Sequence, residues 1–204
     1  MVCEKFQLRT AVSVWSDAAV TNAVSHENLL LQTYGIDLPP AHTRSPQLIS
    51  GTRDVVATRI LGMMRPELIR THIPLQVAGD GNCLFRAISR ALYGTEVHHT
   101  FLRLKTALEI LTWPQLYDDT RSDYDDIFHD TWLVLPSYRD TVRMACSEGA
   151  YTEIIHMYAV SAVIRAPILS VHPSDSAHLH CVEPDRCRAR CDSYHHPGAR
   201  YVVQ

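Results

Sequence analysis

The chain has 204 residues, of which 46% are hydrophobic and 20% charged, and its formal net charge is −3. This composition is close to the globular average, so the chain can bury a core of its own. The nearly neutral charge gives no reason to expect nucleic acid or a membrane surface as a partner. No apolar run approaches the ~18 residues of a membrane span, and the amino terminus lacks the apolar stretch of a secretory signal. We therefore expect an intracellular protein, cytoplasmic or nuclear, with mostly reduced cysteines.

The first third of the sequence predicts helices joined by a loop. Apolar residues recur at helical spacing over residues 10–34 and again over residues 53–65. Residues 36–52 lie between them and are rich in proline and serine, which is typical of a linker. The pattern predicts a helical N-terminal extension over residues 1–70, with a Pro/Ser-rich linker near residues 36–52.

From residue 73 onward the pattern becomes clearer. Residues 73–77 form an extended run that enters a polar turn. An apolar-faced helix follows and ends near Gly94, which is placed for a left-handed C-terminal cap. Further helices are expected over residues 101–113, 137–147 and 152–164, and Ser137 followed by Asp140 predicts a cap for the second of them.

Three short strands are predicted after these helices. They cover residues 168–172, residues 178–182 as a hairpin partner, and residues 201–203. The expected fold class is α/β (α+β), a small mixed β-sheet flanked by helices.

Residues 80–86, Asp-Gly-Asn-Cys-Leu-Phe-Arg, place Cys83 between a polar turn and the start of a helix. A helix start presents unpaired N–H groups and a partial positive charge, and both favour a thiolate over a thiol. The same N–H groups can stabilise the oxyanion that forms when a sulfur attacks a carbonyl. The segment therefore predicts a nucleophile and its oxyanion site, with Gly81 and Asn82 as turn residues.

Residues 80–86 also resemble the signature of the ovarian-tumour (OTU) cysteine proteases, many of which are deubiquitinases. Residues 153–168 resemble the helix and strand that lead towards the catalytic histidine of that family. The resemblance covers about residues 70–204, and the second half also resembles vertnin and transposon-associated OTU-like domains. It implies a papain-like fold for a domain over residues 71–204. It further implies hydrolysis of ubiquitin or ubiquitin-like conjugates, with no cofactor and no metal.

The resemblance places the nucleophile at Cys83 and an aspartate that shapes the oxyanion turn at Asp80. The third element of the family is a histidine directly followed by an aromatic residue at the start of the last strand. Here the sequence departs from the family, because Arg200 precedes residues 201–203. An arginine cannot act as a general base near neutral pH.

The identity of the general base that would take the Cys83 proton therefore has three interpretations. His196 or His195 reaches the thiol across the turn at Pro197. A histidine from another segment, such as His178 or His180, does so. In the third interpretation the base is lost, and the domain binds ubiquitin or serves as a scaffold without hydrolysing conjugates.

A second hypothesis for the carboxy-terminal segment is that it forms a structural zinc site. Cys187, Cys191 and His195 stand at intervals that a zinc site can use. No Cys-x2-Cys pair is present, however, and arginines interleave with the cysteines. We expect a loop without bound metal.

Overall fold

The structure is a computed structural model that describes residues 11–13, 15–39, 51–118, 136–170, 180–182 and 201–203. Its helices are α1 (Asp17–Thr33), α2 (Val55–Met64), α3 (Pro66–Ile69), α4 (Cys83–Tyr93), α5 (His99–Thr112), α6 (Pro114–Tyr117), α7 (Tyr138–Cys146) and α8 (Ile154–Ile164). Its strands are β1 (Ile168–Ser170), β2 (His180–Val182) and β3 (Tyr201–Val203). The described part of the chain is therefore mostly helical.

The three short strands form one sheet with the order β2-β1-β3. β1 pairs antiparallel with β2, where Ile168 lies opposite Val182, and parallel with β3, where Ile168 lies opposite Tyr201. α8 contacts β2, and α4 contacts β3. The sheet therefore brings β3 to the helix that begins at Cys83.

Helix α5 is central to the described part and contacts α1, α4, α6, α7 and α8. Its buried face carries Leu102, Thr106 and Ile110, which are spaced one helical turn apart. Val12 and Val20 from the N-terminal segment join the same apolar core. The division of the chain at residue 70 stays a prediction, although residues on both sides of it contribute to this core.

Several helix ends follow from local sequence. The Ser137 hydroxyl oxygen accepts a hydrogen bond from the Asp140 N–H at 3.2 Å and caps α7. Gly94 ends α4 in the left-handed conformation, with φ of 71°. Both predictions are confirmed. The start of α8 is a capping box in which the His156 ring accepts from the Glu153 N–H at 3.0 Å.

Among the described residues, no helix combines the length and apolar character that crossing a membrane requires.

Candidate active site

The turn before α4 has room for only one residue type at its second position. Gly81 has φ of +77°, in the left-handed region that glycine adopts readily. A Cβ built at Gly81 would overlap the carbonyl oxygen of Gly149. Glycine is therefore required both by the backbone conformation and by the space available.

Cys83 is the first residue of α4 and is half-buried. Leu84 and Phe85 follow it and are buried, so the apolar side of α4 fixes the helix start against the core. The Asn82 N–H donates to Asp80 Oδ1 at 3.1 Å and is therefore occupied. The N–H groups of Asp80, Gly81 and Cys83 have no acceptor within the described ranges. Of the four backbone N–H groups of residues 80–83, three are therefore available as candidate oxyanion donors.

The solvent side of the turn is supported by ionic contacts, which we call the outer support (Asp80, Arg86 and Glu96). Arg86 Nη2 donates to Asp80 Oδ2 at 2.6 Å, and Arg86 Nη1 donates to Glu96 Oε2 at 3.3 Å. The hydrogen bond from Arg86 holds the pKa of the Asp80 carboxyl well below its usual range. Asp80 is therefore an ionised support of the turn.

The opposite side of the turn faces the segment between α7 and α8. Asn82 is buried, and its Oδ1 accepts from the Gly149 N–H at 3.1 Å. Its Nδ2 donates to Asp80 Oδ2 at 3.3 Å. The Asn82 side chain thus connects the turn to residue 149.

Arg103 of α5 lies beneath the turn and is only 3% exposed. Its terminal nitrogens donate four hydrogen bonds of 2.7 or 2.8 Å to backbone carbonyl oxygens, those of Gly81, Met144, Ser147 and Ala150. The guanidinium carbon lies 4.6 Å from the centroid of the Phe85 ring. Arg103, Asn82 and residues 144–150 together form what we call the inner support.

The charge of Arg103 persists despite burial. Burial lowers the pKa of the guanidinium, and the negative charges of Glu148 and Asp80 act in the opposite direction. An arginine side chain stays protonated in proteins. The inner support therefore contains a buried cation whose ligands are backbone carbonyls.

The structure brings together the predicted residues 80–83. The predicted bases His195 and His196 lie outside the described residues, as does the alternative His178. The other alternative, His180, begins β2. The assignment of the base thus stays a prediction.

His156 is fully buried in the described part, and both of its ring nitrogens are engaged. Nε2 lies 2.9 Å from the Thr141 carbonyl oxygen, and Nδ1 accepts from the Glu153 N–H. Burial lowers the pKa of His156 to about 4. This histidine connects α7 to α8 and has no nitrogen left for a thiol.

The other cysteine with a described side chain is Cys146, at the end of α7. Burial raises the pKa of the Cys146 thiol to about 12, which disfavours the thiolate. Among the described residues, no group of three or more His, Cys, Asp or Glu side chains could hold a metal ion. The zinc alternative at Cys187, Cys191 and His195 lies outside them.

Sequence reasoning missed Arg103 and Gly149, and also Glu96 of the outer support. A signal for Arg103 was present, because a cation stands between Leu102 and Leu104 on an apolar-faced helix. Such a cation is expected to find specific acceptors once it is buried. The role of Gly149 depends on a contact between segments 67 residues apart.

A protein-family model described as "Vertnin, OTU domain" matches residues 74–196, which is more than half of the chain. The match contains the turn, Cys83, Arg103 and the helices α4 to α8. The chain therefore belongs to the OTU-domain class of proteins and, within it, to the vertnin OTU family.

Individual relatives are more distant. Vertnin of Danio rerio is 27% identical over 118 residues, which cover 50% of this chain and 17% of that protein. Vertnin of Ailuropoda melanoleuca is 21% identical over 203 residues, which cover 89% of this chain and 28% of that protein. The chain thus spans less than a third of the length of these curated relatives.

A solved structure titled "Structure of OTUD1 OTU domain" is 23% identical to this chain, with a TM-score of 0.38. The superposition covers 56% of this chain and 65% of that one. Family membership rests on the family model.

Proposed function

We propose that this domain is a cysteine isopeptidase that hydrolyses conjugates of ubiquitin or of a ubiquitin-like modifier. The observation that supports it most is the position of Cys83, which begins α4 and is half-buried after a turn supported on both sides. Membership of the OTU-domain class supports ubiquitin as the partner. The proposal includes a papain-like α/β arrangement, with the nucleophile on a helix and the base near the last strand.

In the proposed reaction the Cys83 thiolate attacks the carbonyl carbon of the modifier's carboxy-terminal glycine. The unoccupied N–H groups of residues 80, 81 and 83 are the candidate donors to the oxyanion. The isopeptide C–N bond then breaks, and a histidine protonates the departing lysine amine. Water hydrolyses the thioester, which releases the modifier's carboxylate and restores the thiol.

The proposal assigns the histidine role to His196 or His195. Because β3 contacts α4, a residue shortly before β3 can reach the nucleophile's helix. His196 stands five positions before Tyr201, a separation that spans at most about 17 Å of extended chain. This reach is compatible with a base that approaches Cys83 from the sheet.

A second candidate function is a ubiquitin-binding module without hydrolysis. It is favoured by one observation, that Arg200 directly precedes β3, where the family has a histidine followed by an aromatic residue. A guanidinium cannot accept the thiol proton.

The test uses ubiquitin that carries a cysteine-reactive electrophile at its carboxy terminus. We expect covalent labelling of the wild type and of Cys146→Ala, because desolvation raises the pKa of the Cys146 thiol and disfavours its thiolate. We expect none for Cys83→Ala. A folded wild type that stays unlabelled would contradict the isopeptidase proposal.

A titration with fluorescent ubiquitin, followed by a turnover assay, distinguishes the two candidate functions. Saturable binding without turnover supports the binding module. Turnover of a ubiquitin–lysine conjugate excludes it as the whole function.

A further inference from the structure

We propose that Arg103 is the positioning residue of the turn at residues 80–83, because its guanidinium holds the carbonyl of the Gly81–Asn82 peptide, the peptide group before the one that carries the Cys83 N–H. The catalytic consequence of this inference rests on the proposed function, whereas its geometric part does not.

The guanidinium joins three stretches of chain that are far apart in sequence. One acceptor is the Gly81 carbonyl, 22 residues before Arg103, and the others lie 41 to 47 residues after it. The four donors that serve them belong to one rigid, planar group. Arg103 therefore holds the turn against the α7–α8 segment, in addition to the hydrogen bond between Asn82 and Gly149.

The peptide between Gly81 and Asn82 is fixed at both ends. Its carbonyl oxygen accepts from Arg103 Nη2 at 2.8 Å, on the buried side. Its N–H donates to Asp80 Oδ1 at 3.1 Å, on the solvent side. The C=O and N–H of a trans peptide point in opposite directions, so these two bonds define the orientation of the peptide plane.

The orientation of this peptide determines the direction of the backbone N–H that follows it, that of Cys83. Once the Gly81–Asn82 peptide is fixed, Asn82 enters α4 with φ of −102° and ψ of 8°. The Cys83 N–H then has no acceptor in the described part of the chain. In the proposed function this N–H is an oxyanion donor, so its direction depends on Arg103.

A lysine at position 103 is the informative substitution. It keeps the positive charge, but its ammonium has three donors on a single nitrogen and cannot serve four carbonyls in a planar arrangement. Arg103→Lys therefore removes the geometry while it retains the electrostatic attraction between residue 103 and a Cys83 thiolate. Arg143→Lys on α7 is the matched control, because Arg143 is exposed and pairs only with Asp140 among the contacts described.

The first measurement is amide hydrogen exchange, which needs no activity. In Arg103→Lys we expect the Asn82 amide to exchange at least about tenfold faster, while amides inside α8 change by less than about threefold. A residue that only adds stability would accelerate both sets together, and that result would overturn the inference. Arg143→Lys should leave both sets unchanged.

The wild type supplies an independent check if Arg103→Lys fails to fold. The geometry predicts that the Asn82 amide is protected from exchange, because Asn82 is buried and both ends of its peptide are fixed. Rapid local exchange of the Asn82 amide in the wild type would overturn the inference.

The second measurement is kinetic. For a ubiquitin–lysine conjugate we expect Arg103→Lys to lower kcat by about 100-fold with KM within about threefold, because misplacement of about 1 Å costs that much. Alkylation of Cys83 by iodoacetamide should stay within about threefold, since that reaction needs no oxyanion donor. Equal losses in both reactions would contradict a positioning role. A wild type without turnover contradicts the proposed function and leaves the exchange result to decide on Arg103.

Discussion

The same four-residue turn is supported on two sides by different chemistry. The inner support directs a buried guanidinium and a buried amide at backbone groups, and Arg103 is 3% exposed. The outer support consists of charged side chains, of which Asp80 is 41% exposed and Arg86 and Glu96 are each 19% exposed. The hydrogen bonds on the two sides have comparable lengths, yet we expect their contributions to stability to differ.

The difference comes from solvent. A buried donor or acceptor that loses its partner keeps its full desolvation cost, about 1–3 kcal/mol and more for a charged group. An exposed ion pair that is broken regains water, and its attraction is already screened by salt. The comparison teaches that burial, rather than bond length, predicts which side of the turn contributes more to the stability of the fold.

The largest effect on stability is expected for a substitution of Gly81, where the turn meets residue 149. Gly81→Ala should lower the free energy of unfolding by about 3–5 kcal/mol, because the left-handed backbone and the overlap with the Gly149 carbonyl both oppose a Cβ. Urea denaturation measures the loss. Gly79→Ala is the control, since a Cβ at Gly79 meets nothing within 4 Å. Similar losses in the two variants would contradict the close approach.

The next effect on stability concerns His156, which connects α7 to α8, the two helices that flank residues 144–150. The folded protein requires the neutral ring, since burial lowers the pKa of His156 from 6.5 to about 4. This contribution is complete above pH 6.5 and is lost as the pH falls towards 4. At pH 4.5 we expect a loss of about 2–3 kcal/mol relative to pH 7.5. Denaturant titrations at the two pH values measure it.

His156→Gln provides the comparison for this pH dependence. Glutamine does not titrate, so the loss between pH 7.5 and 4.5 should shrink by most of that amount even if the variant is less stable throughout. An unchanged loss in His156→Gln would assign the pH dependence to other groups. The lowered pKa of Asp80 places its own contribution at lower pH, where it is lost as the carboxylate is protonated.

The smallest effect is expected on the outer side. Asp80→Asn keeps an oxygen for the Asn82 N–H but removes the charge that faces Arg86. We expect the melting temperature to change by no more than about 3 °C, and the difference should shrink further at high salt. Glu67→Gln is the control, because Glu67 forms an exposed ion pair with Arg65 elsewhere. A loss comparable to that of Gly81→Ala would remove the distinction between the two supports.

Local sequence predicted much of the frame around this turn. The glycine that ends α4, the serine that caps α7 and the start of α4 at Cys83 were predicted and are present. Each depends on residues within one or two helical turns, where side-chain chemistry and backbone geometry are directly linked. The strands after α8 also occupy predicted positions, although each is only three residues long.

The inner support could not be predicted in the same way. Arg103 was part of a predicted helix, but its acceptors are carbonyls of residues 81 and 144–150, and every residue has a carbonyl. Sequence carries no mark that distinguishes one carbonyl from another. The partner of Asn82 is likewise a backbone N–H, that of Gly149.

By itself, the sequence determined the turn before Cys83, because a glycine, an amide side chain and a cysteine ahead of an apolar-faced helix specify local backbone geometry. Tertiary structure alone decided what supports that turn from below. The reason is physical: a buried cation must find acceptors wherever packing brings them, and α5 meets the α7–α8 segment only after the chain has folded.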